Sequence, residues 1–491
     1  MNVVARSARS VAWIVADSWI SMAVAALSYL FLLRMLGPDV FGTVAIAGLF
    51  FGIVSTFVGG ALTESIQQKD TIEDGHLNVT FWLNTALCLV FAGIIAMLAD
   101  PLGGLLKSEA LASILPALAL AALISSFGAL PRALLERDLQ HHKLAALNVL
   151  AGIPSVAIAL SLAFLGYGAW SLVFSILTGT CIGTIGVWCL VSWRPGLTFE
   201  RRHVADLSQF NRDTILTYML GYLDDAIPRF ALAVFGGERA VGLYDLAMQL
   251  SSRISGAVMG PLAEVTMNTV ARLQSKKADV CELLDRAFTL TTSLIYPAVF
   301  GAVIVAPIAL PLLLGGRWTD VILPAQIALL IGLRNASGDL NIAILRGFGN
   351  SAAPIRILSI GVILQVALVP LVALFGVVGA VVAVALRVFA TWPLSANFVE
   401  KVCGYGMLRQ LTVGLAALVA ALLMAAGMLV LAIVLPASLP EPVSLCLLIV
   451  FGVILYGLLL MLGQQWRDIL ASINWFKTQM RFPEDQPAAA V

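Results

Sequence analysis

Fourteen runs of about twenty apolar residues set the terms for this chain. They centre on residues 11–33, 40–60, 79–99, 110–130, 144–165, 168–191, 213–235, 242–262, 287–314, 321–345, 354–375, 377–398, 410–435 and 443–463. Twenty apolar residues wound as an α-helix span the hydrocarbon of a bilayer. The expectation is therefore an all-α polytopic membrane protein with about fourteen transmembrane helices. Composition agrees: only 12% of the 491 residues are charged and 60% are hydrophobic, too few charges to cover a soluble protein of this size. This excludes a soluble enzyme, a secreted disulfide scaffold and a nucleic-acid-binding domain. The first run is too long for a cleaved signal peptide and is followed by no small-residue cleavage site. The six cysteines form no CxxC and lie mostly in apolar runs, as packing thiols do. The four histidines fall in expected loops, and the His141-His142 pair, without a nearby Cys or carboxylate at ligand spacing, reads as solvated.

The net charge of +1 is uninformative, but its distribution is not. With the N-terminus inside, cytoplasmic segments hold twenty-one Lys and Arg, outside loops hold four (Arg34, Lys107, Arg239, Arg317), and Arg229, Arg253, Arg334 and Arg387 fall within spans. The positive-inside rule then places both termini in the cytoplasm and supports an even number of spans.

Residues 37–64 align without gaps to 237–264 with eight identities in twenty-eight, among them Gly37/Gly237, Gly42/Gly242 and Glu64/Glu264. Six spans separate the copies, so the repeats are parallel, a pattern of transporters whose halves are related by an axis along the membrane normal. The expected organisation is an N-lobe of spans 1–6 (residues 1–205), a C-lobe of spans 7–12 (206–405), two further spans (406–464) and a cytoplasmic tail (465–491). Trp466, Ile469, Leu470, Ile473, Trp475 and Phe476, interleaved with Arg467 and Lys477, suit an amphipathic helix lying on the membrane surface.

Ionisable groups inside a membrane are costly and face protein or water rather than lipid. In span 7, Tyr218, Tyr222, Asp225 and Arg229 recur at i, i+4, i+7 and i+11, one polar stripe expected to line a wet cavity. Pro228 is expected to kink that helix. Arg229, Arg253, Arg334 and Arg387, with Tyr218 and Tyr222, are the substrate-binding candidates, because guanidinium stays charged and grips two phosphate oxygens at once. The opposing reading is internal pairing, Asp225 with Arg229 and Asp339 with Arg334. Asp17, Asp225 and Asp339 are candidates for that pairing or for carrying a coupling proton or Na⁺. No residue pattern calls for a metal or an organic cofactor, and no GxxxxGK[ST] phosphate loop is present, which argues against ATP hydrolysis.

The segments Leu36-Gly37-Pro38-Asp39-Val40-Phe41-Gly42, Gln68-Lys69-Asp70 and Phe81-Trp82-Leu83-Asn84 resemble the polysaccharide-transport branch of the MOP exporter superfamily, the Wzx-type flippases, and most of all its exopolysaccharide exporters. The resemblance implies a multi-pass protein of the bacterial inner membrane. Its substrate would be an oligosaccharide repeat unit on a polyprenyl pyrophosphate carrier, moved from the cytoplasmic to the periplasmic leaflet for exopolysaccharide or lipopolysaccharide synthesis. It also implies alternating access around a cationic central cavity, and partners among membrane lipids, a polysaccharide polymerase and export machinery, with no nucleic acid. The same fold serves multidrug or organic-ion antiporters and peptidoglycan-precursor flippases, which stand as alternatives. A membrane glycan polymerase or ligase would need catalytic groups on a large outside loop, and the outside loops here are short.

Overall fold

The structure is a computed structural model, and it describes residues 3–56, 63, 66, 72–106, 108–138, 140–196, 201–273, 277–350, 352–436, 438–463 and 465–480; within these, the side chains of residues 3–26 and 201–214 are among those outside the description. Gln67 to Asp70, and the side chain of Asp17, therefore lie outside the described residues.

Every described element is helical. In order they are α1 (Val3–Ser55), α2 (Asp74–Leu105), α3 (Glu109–Arg137), α4 (His141–Phe164), α5 (Ala169–Leu190), α6 (Arg201–Phe235) and α7 (Gly237–Leu273). There follow α8 (Lys277–Leu314), a 3₁₀ turn (Gly316–Val321), α9 (Ile322–Gly347), α10 (Ala352–Ala367), α11 (Val369–Cys403), α12 (Met407–Val434), α13 (Glu441–Leu462) and α14 (Gln465–Met480). Because α1 breaks at Gly37, where φ is +76°, it supplies two of the fourteen expected spans, and α2 to α13 supply the rest. Ten segments among the described residues are long and apolar enough to cross a membrane. Of the others, α10 has only 16 residues, while α6 and α7 carry the polar groups described below. α6 runs unbroken through Pro228.

Two compact units are formed. The first comprises Met1–Asp245, Leu313–Asp320 and Gln365–Ala380; the second comprises Leu246–Leu312, Val321–Leu364 and Val381–Val491.

In the first unit, Phe81 is buried edge-on against Trp82, Trp188 and Trp193. The indole N–H of Trp82 donates to the Gly196 carbonyl at 2.9 Å, and the Gly196 N–H donates to Asn78 Oδ1 at 2.8 Å. The Phe81-Trp82 pair thus ties the end of α5 to the start of α2. His76, expected in a loop, is buried in the first turn of α2, where its Nδ1 accepts from the Glu73 N–H at 3.3 Å. This arrangement satisfies an otherwise orphaned helix-terminal donor.

In the second unit, Phe288, Leu283, Leu284, Ile344 and Leu345 build a core around Tyr405. The Tyr405 phenol donates to Asp285 Oδ1 at 2.9 Å, and Arg409 grips the same carboxylate with two bonds of 3.0 and 2.6 Å. Burial, then the neighbouring Asp285 carboxylate, hold the Tyr405 phenol above its ordinary range. α12 and α13 pack through Ala420, Ala421, Met424 and Met428 against Leu448 and Tyr456. α14 is helical, as its pattern requires; Trp466 and Leu470 are exposed, while Trp475 lies under the Arg286 guanidinium at 5.6 Å.

Candidate functional site

The repeat has a direct structural meaning within the first unit. Gly37 and Gly237 both adopt left-handed φ, +76° and +72°, which an L side chain resists. Five residues on, Gly42 and Gly242 stand where α1 and α7 cross. A β-carbon on Gly42 would overlap the Glu238 carbonyl, and one on Gly242 would overlap the Pro38 carbonyl. The contact is reciprocal: each copy of the motif receives the backbone of the other.

Around this crossing gather four of the seven loops that the charge bias places outside. Trp318 is fully buried, its indole N–H donating to the Leu33 carbonyl at 2.8 Å and its ring edge-on to Phe41. Arg317 donates to the Met35 carbonyl at 3.3 Å. Arg239 pairs with Asp320 at 2.9 Å and Asp39 at 3.6 Å; the hydrogen bond to Asp320 holds its guanidinium above the ordinary range. The Ser108 hydroxyl, which also caps α3, donates to the Glu238 carboxylate.

The α6 stripe divides by neighbour. Arg229 donates through Nε to Asp245 Oδ1 on α7 at 3.1 Å, with both side chains about a quarter exposed. Tyr222 donates to the Leu49 carbonyl, and its ring fills the space opposite Gly52. Tyr218 and Asp225 are exposed, and Asp224 is buried. The stripe therefore joins α6 to α1 and α7 at Tyr222 and Arg229, and presents Tyr218 and Asp225 outward.

In the second unit Arg334 on α9 is 7% exposed. Its guanidinium lies over the Trp392 ring, 3.6 Å from the centroid, and neither Nε nor Nη2 has a hydrogen-bond partner among the described residues. A guanidinium stays charged when desolvated; a stacked indole face offsets part of that cost and leaves the donors open. Arg334 and Asp339, which is exposed, form no ion pair among the described residues. Together with Arg387, Thr391 and Ser395 they line a small cavity of about 110 Å³. Trp392 is fixed from behind: its Nε1 donates to Gln410 Oε1 at 3.2 Å, while Gln410 Nε2 donates to Asn341 Oδ1 at 3.0 Å and Asn341 Nδ2 to Ser395 at 3.0 Å. Sequence reasoning missed Trp392 and Gln410. The available signal was a glutamine opening the apolar run 410–435, a buried amide that needs a polar partner. Arg253 lies on an exposed face of α7. Among the described residues, no group of three His, Cys, Asp or Glu could hold a metal ion.

A family model described as polysaccharide biosynthesis protein matches residues 31–323. The succinoglycan biosynthesis transport protein ExoT of Rhizobium meliloti (strain 1021) is 25% identical over 312 residues, and the lipopolysaccharide biosynthesis protein WzxC of Escherichia coli (strain K12) is 24% identical over 317. Each match covers 63% of this chain, and the chain spans 63% of each relative's length. Among solved structures, the lipid II flippase MurJ in an inward closed conformation superposes with a TM-score of 0.73 at 11% identity, covering 92% of this chain and 99% of that one. An inward-facing multidrug resistance MATE family transporter of the MOP superfamily superposes with a TM-score of 0.61 at 14% identity, covering 77% and 94%. The fold is thus shared with MOP-superfamily transporters.

Proposed function

Because the chain belongs to the polysaccharide biosynthesis protein family, we propose that it is a flippase for lipid-linked oligosaccharides. It carries oligosaccharide units on a polyprenyl pyrophosphate from the cytoplasmic to the periplasmic leaflet of the bacterial inner membrane, both its termini being cytoplasmic. The observation that carries this reading is Arg334, a buried guanidinium with open donors inside a membrane-spanning helix. Such a group is costly unless an anion visits it, and a pyrophosphate head is the anion that a family of this name would bring. Arg387 lines the same small cavity, while Arg229 holds Asp245 and serves the helix frame. In this reading Arg253 and Tyr218, both exposed on their helices, meet substrate, and Asp225 and Asp339 carry a coupling proton or Na⁺. The chain performs no catalysis; polymerisation belongs to a partner enzyme on the periplasmic side.

A glycan crossing hydrocarbon would strip its hydroxyls of hydrogen bonds at several kcal/mol each. A wet, polar path between helices replaces those bonds while the lipid tail stays in the bilayer. The test is an analysis of lipid-linked oligosaccharides in a strain lacking the protein, with leaflet assigned by periplasmic accessibility. Complete units held on the cytoplasmic side, with loss of exported polymer, are the expected result. Normal glycan traffic, with altered resistance to drugs or organic cations, would overturn the reading in favour of an antiporter. Complete units reaching the periplasm unpolymerised would point to a polymerase or ligase.

A further inference from the structure

A cavity in the first unit involves none of the residues discussed so far. It holds about 540 Å³ among α1, α3, α4 and α5, within the roughly 300–1,000 Å³ typical of small-molecule sites. We propose that this cavity is a saccharide subsite, which receives sugar rings of the substrate on the cytoplasmic side; the proposal rests on the transport reading above.

The chemistry of the wall carries it. Five hydroxyls, those of Thr63, Ser125, Ser155, Thr180 and Thr184, line a space among the helices of the first unit. Three of them spend their proton on the backbone: Ser125 donates to the Ala122 carbonyl at 2.8 Å, Ser155 to Ala151 at 2.7 Å and Thr184 to Ile124 at 3.1 Å. Each oxygen keeps acceptor capacity, which matches a ligand rich in O–H donors. A second group on the wall supplies the opposite polarity. Arg132 bonds Glu136 at 3.2 Å and Asn148 Oδ1 at 3.4 Å. The amide of Asn148 is thereby turned with its oxygen on the guanidinium, and its two N–H bonds remain donors. Guanidinium, carboxylate and carboxamide held side by side form the set that grips neighbouring hydroxyls of a sugar. An acyl chain would find this wall expensive, since it offers no partner to any of these groups.

Placement agrees. Arg132 and Glu136 sit at the C-terminal end of α3 and Asn148 near the start of α4, the ends that the charge bias assigns to the cytoplasm, where the glycan is built. Glycines make the room: Gly152 and Gly183 line the cavity, and a β-carbon on either would meet nothing within 4 Å, so a side chain there starts out into open space.

That last point supplies the test. The full chain in nanodiscs is mixed with the repeat-unit oligosaccharide freed from the host's own carrier lipid by mild acid, and saturation transfer to the sugar ring protons is read by NMR. Signal is expected from wild type, reduced about tenfold by Gly152→Leu, Gly183→Leu and Arg132→Gln, and unchanged by Arg467→Gln on the exposed face of α14. Leucine is a better helix former than glycine, and monodisperse elution checks folding; Asn148→Leu, which fills no backbone site, repeats the test should either variant misfold. Unchanged sugar signal in the folded variants overturns the proposal, and so does unchanged signal accompanied by loss of co-purified phospholipid, which would make the cavity an acyl-chain site. The two readings fail separately. Lost binding with normal glycan traffic in the deletion strain leaves the saccharide site and removes the flippase. Cytoplasmic accumulation with unchanged binding does the reverse.

Discussion

Two arginines of the same type, both inside membrane-spanning helices, are held in opposite ways. Arg229 has its carboxylate, Asp245, at 3.1 Å, and its role is to keep α6 on α7. Arg229→Ala should lower stability by roughly 3 kcal/mol, the low end for removing one member of a largely buried pair. The exchange Arg229→Asp with Asp245→Arg should restore most of it, read as the thermal midpoint in detergent. A double variant no more stable than either single one would refute the pairing. Arg334 has an aromatic face and open donors instead. Arg334→Gln should cut export about tenfold, or 1.4 kcal/mol, at matched abundance in the membrane. Arg334→Lys should recover only part, because an ammonium keeps the charge but loses the planar stack. Wild-type output from Arg334→Gln would remove this residue from the substrate path. The intramembrane arginines were legible in the sequence because each interrupts an apolar run. Their partners were not: local spacing offered Asp225 to Arg229 and Asp339 to Arg334, whereas Arg229 takes a carboxylate sixteen residues away on the next helix. Tertiary contacts of that kind leave no periodicity behind.

At the scale of elements, the Gly37–Gly42 and Gly237–Gly242 motifs decide how α1 and α7 meet. The alignment of the two segments could be read from sequence, but the crossing could not, since shared glycines record where backbone approaches and not which backbone arrives. Gly42→Val should force the helices apart at a cost of about 1–3 kcal/mol, the usual range for overpacking, and loosen the loop cluster built on them. Ser108→Cys, nearly inaccessible beside Glu238, then becomes a reporter. A membrane-impermeant maleimide added from outside should label it several-fold faster in the Gly42→Val background, measured above the reaction of the native cysteines. Equal labelling rates would show that the crossing does not control access to that surface. The Phe81-Trp82 pair teaches the same lesson. Its aromatic character was evident in the sequence, while its use in anchoring the Gly196 segment depended on Trp188 and Trp193, which lie over a hundred residues away.

For the whole molecule, apolar run length and lysine and arginine counts carried nearly all the fold, because the bilayer leaves helices few alternatives. Run length counted α6 and α7 among the spans, yet neither is long and apolar enough to cross a membrane among the described residues; the polar stripe read in span 7 was the signal for α6. The orientation makes its own prediction: a reporter active only in the periplasm should be silent when fused after Met480 and active when inserted between Gly315 and Gly316. Activity at the first position would invert the topology and with it the cytoplasmic opening of the saccharide cavity.

The mutual seating of Gly42 under Glu238 and Gly242 under Pro38 also says something about descent. A patch that receives its own counterpart, with each partner's residue i on the other's residue j, is the signature of an isologous dimer interface. Here both faces belong to one polypeptide. The reciprocal contact is the geometry that duplication of a self-pairing segment would leave behind. The loops around the crossing are unlike, Trp318 and Arg317 on one side and Ser108 on the other, while the glycines at the crossing are the same in both copies.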